Sequence, residues 1–164
     1  VRLLLDRRAD PALRDLEGSS ALHAAAEGGR AGLLEALIGR GAEVDAANGS
    51  GLTALHIATA SSGVEVIQRL LCLGAGLDAR AADGEAALHI AAAHGHAQIA
   101  EFLLSCKAST EAQDKDGCTA LQTAIDAGRD DIVRLLLTRR AKMEVAGGEG
   151  VTALHLAAAN GSSE

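Results

Sequence analysis

The residues of this chain that could do chemistry are six histidines, three cysteines and several neighbouring carboxylates. Histidine is the usual general base of enzymes, and histidine and cysteine are the usual ligands of zinc. His94 and His96 are close in sequence. Their spacing fits a weak metal site or a pH-sensitive contact. It fits equally an ordinary turn histidine followed by a histidine of the repeat consensus. Whether such side chains converge on one site depends on the elements that carry them.

The cysteine spacing does not favour a zinc site. Cys72, Cys106 and Cys118 include no Cys-x-x-Cys pair, which structural zinc sites usually contain. We therefore expect free thiols in a reducing compartment, and an intracellular, cytoplasmic location.

The neighbouring carboxylates also have simpler interpretations than catalysis. Asp130 and Asp131 precede an apolar segment of helical period, where negative charge complements a helix N-terminus. Asp114 and Asp116 lie in a polar link, and no partner acid, base or nucleophile is expected to converge on them. The segment 147–150 lacks the Lys and Ser/Thr of a phosphate-binding loop. We expect no catalytic residue, no cofactor and no metal.

Four of the histidines occupy one column of a sequence repeat. His23, His56, His89 and His155 are separated by 33, 33 and 66 residues, and Gln122 fills the remaining position. Side chains carried by successive packed helices lie about 10 Å apart, too far to share one metal ion. The same step of 33 residues links Gly18, Gly51, Gly84, Gly117 and Gly150, and also Ala25, Ala58, Ala91, Ala124 and Ala157.

Each repeat has the pattern of two short helices and a polar link. In the third repeat, the apolar period predicts helices over 86–93 and 97–106, followed by an extended link over 109–116. A hydroxyl residue precedes the first helix in four repeats, where it can accept from free backbone N–H groups. These predicted N-caps are Ser20, Thr53, Thr119 and Thr152, whereas Ala86 loses the cap in the third repeat.

The segments 53–58 (TALHIA) and 152–157 (TALHLA) resemble the T-P-L-H-x-A signature of the ankyrin repeat. Gly41-Ala42 and Gly95-His96 are further marks of this family. The departures are Ala in place of Pro in every repeat, Gln122 in place of His, and Ser62-Gly63 in place of Gly-His. The resemblance implies an all-α, gently curved ankyrin-repeat solenoid of helix-turn-helix units joined by β-hairpin-like links, with the repeat histidine hydrogen-bonded to the neighbouring link.

The repeat register also predicts the division of the chain. We expect one ankyrin repeat array over residues 1–164, with a partial repeat at each end. Further repeats or caps are expected on both sides, because Leu3, Leu4, Leu154 and Leu156 would otherwise face water. The divisions are a partial repeat over 1–14, full repeats over 15–47, 48–80, 81–113 and 114–146, and a partial repeat over 147–164.

One column breaks the glycine pattern after the second helix. Gly41 and Gly74 suit the left-handed conformation that often ends a helix, but Arg8, Lys107 and Arg140 stand in the same column. The register therefore predicts strained, left-handed backbone at these three residues.

The net charge of −7 excludes several classes of partner. A nucleic-acid binder would carry a basic stripe, and an anionic membrane surface would attract a basic one. No apolar run reaches the length of a transmembrane helix, so we expect no nucleic-acid binding and no direct membrane insertion.

The resemblance implies a non-catalytic protein–protein interaction module, an adaptor or scaffold. Two alternatives stay open: a targeting or regulatory ankyrin segment of a larger enzyme or channel, or a fixed structural subunit of a large assembly. The partner is expected to be another protein with basic and large apolar contact residues.

Binding in ankyrin proteins uses the hairpin tips and the concave face of the first helices. The matching positions here vary between repeats while their neighbours do not, as a recognition surface on a fixed frame requires. The predicted partner-binding residues are Leu16, Glu17, Ser19, Glu27, Ser50, Leu52, Asp83, Glu85, His94, Lys115, Asp116, Cys118, Asp126, Glu149, Val151 and Asn160.

Overall fold

The regular structure of the described residues consists mainly of short α-helices, which are arranged in pairs except for the last. The computed structural model describes residues 3, 6–61, 63–148 and 150–161, in two compact units, Val1–Ala82 and Asp83–Glu164. The helices of the first unit are α1 (Ala21–Glu27), α2 (Ala31–Ile38), α3 (Ala54–Ala60) and α4 (Val64–Cys72). Those of the second are α5 (Ala87–His94), α6 (Ala97–Ser105), α7 (Ala120–Asp126), α8 (Asp130–Thr138) and α9 (Ala153–Ala159). The fold is therefore the all-α helical-repeat solenoid that the sequence predicts.

The helices predicted in the third repeat are confirmed to within one residue at each end. α5 begins one residue later than predicted, because Ala86 is its N-cap. It also ends one residue later, at His94, whose ring nitrogen Nδ1 lies 3.0 Å from the Ile90 carbonyl oxygen. Gly95 then ends the helix with a φ of 77°. α6 ends one residue earlier than predicted, at Ser105.

The core of each unit is built from columns of the repeat. In the first unit α1 packs on α2 and α3, and α4 packs on α2 and α3. In the second, α5 and α7 pack together, and each also packs on its own second helix. Burying one leucine contributes about 1.5–3 kcal/mol, and the alanine columns between the helices let them approach closely. Two repeat columns contribute fully buried leucines, Leu22, Leu55, Leu88 and Leu121 in the first helices, and Leu37, Leu70, Leu103 and Leu136 in the second helices.

Two of the four leucines predicted to face water are clearly exposed. Leu3 is 81% exposed, and Leu154 is 77% exposed although it shares the column of the buried Leu22. Leu156 is half-buried. Leu4 lies outside the described residues.

The histidine column is structural, as the resemblance implies. The Nδ1 atom of His23 accepts from the backbone N–H of Ser20 at 3.1 Å, and its Nε2–H donates to the carbonyl of Leu52 at 3.0 Å. This pairing fixes the neutral tautomer with the proton on Nε2. Gln122 reproduces it, because its Oε1 accepts from Thr119 N at 2.9 Å and its Nε2 donates to Val151 O at 2.8 Å.

The predicted N-caps occupy the expected positions, and each is completed by the side chain three residues later, a histidine after Ser20, Thr53 and Thr152 and Gln122 after Thr119. The Ser20 hydroxyl accepts from Leu22 N at 3.3 Å, and the hydroxyl of Thr53 lies 2.9 Å from Nδ1 of His56. Ala86 has no hydroxyl, but its N–H still donates to Nδ1 of His89 at 3.2 Å. The third repeat therefore loses only the hydroxyl half of the cap.

The predicted left-handed residues are confirmed, with φ of 64° at Arg8, 71° at Lys107 and 63° at Arg140. We expect Lys107→Gly and Arg140→Gly each to raise the free energy of unfolding by about 0.5–1 kcal/mol. A side chain in this conformation costs about 1–2 kcal/mol, and the greater freedom of glycine in the unfolded chain offsets part of the gain. Chemical denaturation measures the effect. Gly74→Lys, which adds the strain at a φ of 91°, is the matched opposite and should destabilise; no gain in either glycine variant would contradict the strain.

Candidate functional site

The polar links turn back on themselves in narrow loops that we call fingers, and backbone hydrogen bonds close the bases of the first, second, fourth and fifth fingers. In finger 1 (residues 14–20), Arg14 and Ser20 form an antiparallel bridge. The N–H of Asp15 donates to Ser19 O at 2.9 Å, and that of Gly18 donates to Asp15 O at 3.0 Å. The four later fingers occupy the same register, at residues 47–53, 80–86, 113–119 and 146–152.

An Asp or Asn side chain holds the turn of three fingers. Oδ1 of Asp15 accepts the backbone N–H groups of Glu17 and Ser19 at 2.9 and 2.8 Å. These bonds fix the tip residues in place without using their side chains. The equivalent pairs are Asn48 with Ser50 and Leu52, at 3.0 Å each, and Asp114 with Asp116 and Cys118, at 3.0 and 2.8 Å.

Successive fingers within each unit are joined by one backbone hydrogen bond per pair. In the first unit, Gly49 N donates to Glu17 O at 2.9 Å. In the second, Lys115 N donates to Asp83 O at 2.8 Å. The remaining two bonds are Ala82 N to Ser50 O at 3.0 Å and Gly148 N to Asp116 O at 2.6 Å. The finger tips of each unit therefore form a ladder, which we call the finger ladder.

Long side chains at the finger bases add a second connection within each unit. The Arg14 guanidinium donates to Gly18 O at 2.9 Å within its own finger and also to the carbonyl of Ala47 in the next. Gln113 likewise donates to Gly117 O at 2.7 Å within its own finger and to Ala146 O at 3.5 Å in the next. Sequence reasoning missed both residues, although their column at the finger base could have identified them.

The repeat glycine allows the fingers to pack this closely. Gly18 and Gly84 have φ of 75° and 83°. A Cβ atom on Gly18 would lie 2.8 Å from the backbone N of Gly49, and one on Gly84 would lie 2.8 Å from that of Lys115. Only glycine fits at both contacts.

The predicted partner-binding residues of the first unit lie on fingers 1 and 2 and at the end of α1. Leu16, Glu17 and Ser50 are exposed at the tips, and Leu16 is fully so at 106%. Glu27 is the exposed last residue of α1. Ser19 and Leu52 are half-buried.

In the second unit the predicted residues lie on fingers 3 to 5 and at the ends of the first helices. Val151 is half-buried, and Asn160 is exposed, but its amide donates to Ile125 O at 3.0 Å. Glu149 lies outside the described residues. The exposed members are Asp83, Lys115, Asp116, His94 and Asp126, and the half-buried ones are Glu85 and Cys118.

Negative charge accumulates on this part of the second unit. Burial, and then the charges of Asp83 and Asp114, raise the pKa of the Glu85 carboxyl above its ordinary value. Burial, and then Asp114, Asp116 and Asp126, raise the pKa of the Cys118 thiol. We define the acidic patch as Glu85 together with the four aspartates that act on it or on Cys118. Its members are Asp83, Glu85, Asp114, Asp116 and Asp126.

Asp114 is the member of the acidic patch that sequence reasoning did not assign to the site. Its carboxylate holds the turn of finger 4 and acts electrostatically on both Glu85 and Cys118. The Asp or Asn that recurs at positions 15, 48 and 114 is a turn signal that could have revealed it.

The pair His94 and His96 forms a stack, with ring centroids 5.6 Å apart and planes inclined by 24°. His94 Nδ1 is bonded to its own helix. Over the described ranges, no three His, Cys, Asp or Glu side chains are grouped so that they could hold a metal ion.

Comparison with known families gives one match. The family model described as "Ankyrin repeats (3 copies)" matches residues 1–81, 60–147 and 88–164, which together span the chain. A search of curated proteins found no match. None of the described helices is long and apolar enough to cross a membrane.

Proposed function

This chain belongs to the ankyrin repeat family, whose members are generally protein–protein interaction modules, and we propose that it is a non-catalytic adaptor or scaffold. Its partner is a protein that presents Lys or Arg side chains, together with large apolar ones, to the acidic patch of the second unit. The finger tips and the ends of α5 and α7 provide the contact residues. The fingers and first-helix ends of the first unit provide a further set of contacts.

The histidine chemistry supports a non-catalytic role. The ring of His23 is 1% exposed, and both of its nitrogens are hydrogen-bonded to the backbone. A general base needs an accessible nitrogen that can take and release a proton. The neutral tautomer of His23 is instead fixed, because Nδ1 accepts from the N-cap residue Ser20 and Nε2–H donates to the Leu52 carbonyl.

The observation that carries the proposal is the grouping of the five carboxylates of the acidic patch on neighbouring fingers and a first-helix end of the second unit. Burial is the largest cause of the raised pKa values of Glu85 and Cys118, and the neighbouring aspartates raise both pKa values further. The acidic patch therefore presents a negative potential that a cationic partner can neutralise, and such complementarity steers association and sets specificity.

The composition of the fingers indicates what the partner must add. The chain has no Trp or Tyr, and its single Phe, Phe102, is half-buried in α6. Aromatic and arginine side chains dominate the binding energy of most interfaces. The partner should therefore provide the large anchors, with Val151 as an apolar contact on this unit.

The experiment that tests this proposal uses a random peptide library selected on the purified chain. Selected peptides are expected to be enriched in Lys, Arg and large apolar residues. A triple variant, Asp83→Asn, Glu85→Gln and Asp116→Asn, should weaken their binding about tenfold, because exposed charge pairs contribute roughly 0.2–1 kcal/mol each. Raising the salt concentration should weaken binding to the wild type more than binding to this variant.

A second triple variant controls for net charge. Glu43→Gln, Glu101→Gln and Glu144→Gln remove the same number of exposed charges away from the finger tips. Circular dichroism should show an unchanged fold for both variants. Peptides without basic residues, or equal loss of binding in the two triple variants, would count against the acidic patch as the site.

A further inference from the structure

Two Asn-Gly pairs in this chain can undergo deamidation, Asn48-Gly49 in finger 2 and Asn160-Gly161 after α9. In this reaction the backbone nitrogen of the glycine attacks Cγ of the asparagine. The N–Cγ bond forms, the Cγ–Nδ2 bond breaks and ammonia leaves, with its third hydrogen taken from the glycine N–H. Water then opens the five-membered ring to aspartate or isoaspartate. Glycine favours ring closure because it has no side chain to obstruct the attack.

The reacting groups of Asn48 are all engaged in the finger ladder. The N–H of Gly49 donates to Glu17 O at 2.9 Å. The Asn48 carboxamide accepts the N–H groups of Ser50 and Leu52 through Oδ1, and its Nδ2 donates to Ser19 Oγ at 3.4 Å. Ring closure therefore requires Gly49 to leave finger 1 and the carboxamide to rotate.

The two hydrogen bonds to Asn48 Oδ1 have opposite effects on the rate of deamidation, because they hold the carboxamide in place but also polarise its carbonyl group. Two N–H donors on a carbonyl oxygen stabilise the negative charge that develops during attack on its carbon. They assist the reaction only when the Gly49 nitrogen is released, so the bond from Gly49 to Glu17 O is the decisive contact.

Asn160 provides an internal comparison. The N–H of Gly161 reaches Ala158 O only at 3.4 Å, a long hydrogen bond. The Asn160 side chain has its bond to Ile125 O at 3.0 Å. Its glycine nitrogen is therefore held less firmly than that of Gly49.

Aspartate at position 48 fits the finger. Asp15 and Asp114 stand in the same column and accept the same two backbone N–H groups. Isoaspartate does not fit, since it adds a methylene group to the backbone between Asn48 N and its acceptor Leu52 O, now 2.9 Å apart.

We propose that Asn48 is a deamidation site controlled by the pairing of fingers 1 and 2. While the fingers are paired, the asparagine is preserved. When they separate, it converts to aspartate or isoaspartate, and either product adds a negative charge to a finger that otherwise carries none.

The test incubates the purified chain at mildly alkaline pH, in native buffer and in concentrated urea, and follows each asparagine by peptide mass spectrometry. Each native rate is divided by the rate of the same site in urea, which removes intrinsic differences. Asn48 is expected to be protected at least about tenfold more than Asn160, as local opening of a paired backbone requires. Equal protection of the two sites, or no protection of Asn48, would overturn the proposal.

A pair of variants tests the control directly. Gly18→Ala places a Cβ 2.8 Å from Gly49 N and should separate the fingers, which raises the Asn48 rate several-fold towards its urea value. Gly29→Ala adds the same left-handed strain, at a φ of 68°, where its Cβ would meet no described atom within 4 Å. It should leave the rate unchanged. A folded Gly18→Ala variant with the wild-type rate would refute the control by pairing; if that variant does not fold, the native-to-urea comparison of the wild type decides.

Discussion

Replacing Gly51 with alanine is expected to lower the free energy of unfolding by about 2–4 kcal/mol, the sum of backbone strain and a steric collision. Gly51 has a φ of 74°, a conformation that side chains rarely adopt. Its added Cβ would also collide with the backbone N of Ala82, the atom that donates to Ser50 O in the finger ladder. Because the obstructing atoms of Ala81 and Ala82 are all backbone, no side chain can rotate to relieve the contact.

Urea denaturation followed by circular dichroism measures this loss. Gly150→Ala is the matched control, since Gly150 belongs to the same column and has a φ of 76°, but its Cβ would meet no described heavy atom within 4 Å. That variant should lose only about 1 kcal/mol, from strain alone. Equal losses in the two variants would show that close packing of fingers contributes nothing.

Replacing His23 with leucine should lower the free energy of unfolding by about 2–4 kcal/mol, because a buried polar group left without a partner costs roughly 1–3 kcal/mol. The substitution removes the acceptor of the Ser20 N–H and the donor to Leu52 O. His23→Gln should retain most of the stability, since Gln122 makes the same two bonds in the fourth repeat. If glutamine is as damaging as leucine, the ring itself, and not its hydrogen bonds, stabilises the repeat.

The same variants should differ in their response to acid. Burial lowers the pKa of His23 below its ordinary value of 6.5, so between these two pKa values the unfolded chain binds more protons than the folded one. This contribution to stability is complete above pH 6.5 and is lost as the pH falls from 6.5 towards the lowered pKa. His23→Gln should therefore lose stability less steeply over that range than the wild type. Parallel curves of melting temperature against pH would contradict this role of His23.

Much of the fold could be predicted because repetition makes each position visible several times. Gly41 and Gly74 occupy the same repeat column as Arg8, Lys107 and Arg140, so left-handed backbone is predicted at these three residues. All three have a positive φ. The histidine column and its exchange with Gln122 were likewise predicted to be structural. In each case a local backbone requirement is repeated at a fixed spacing.

The details of the candidate site were less predictable, because they depend on residues that are distant in sequence. The bond from Lys115 N to Asp83 O joins two fingers whose closeness no local pattern reveals. The partial burial of Glu85 and Cys118, and the charges acting on them, likewise follow from packing. The set of partner-binding residues stays a prediction, and the library selection with its two triple variants is its test.

The finger ladder has an evolutionary consequence. Its rungs join main-chain atoms only, such as Gly49 N and Glu17 O, so the frame does not depend on which side chains the tips carry. Tip residues other than the repeat glycine and the Asp or Asn that holds the turn can therefore mutate and acquire new specificities while the scaffold is preserved. An in-frame duplication of one 33-residue repeat would add one rung without disturbing the others, since each repeat contacts only its neighbours. Both new partners and new lengths are thus accessible through small genetic steps.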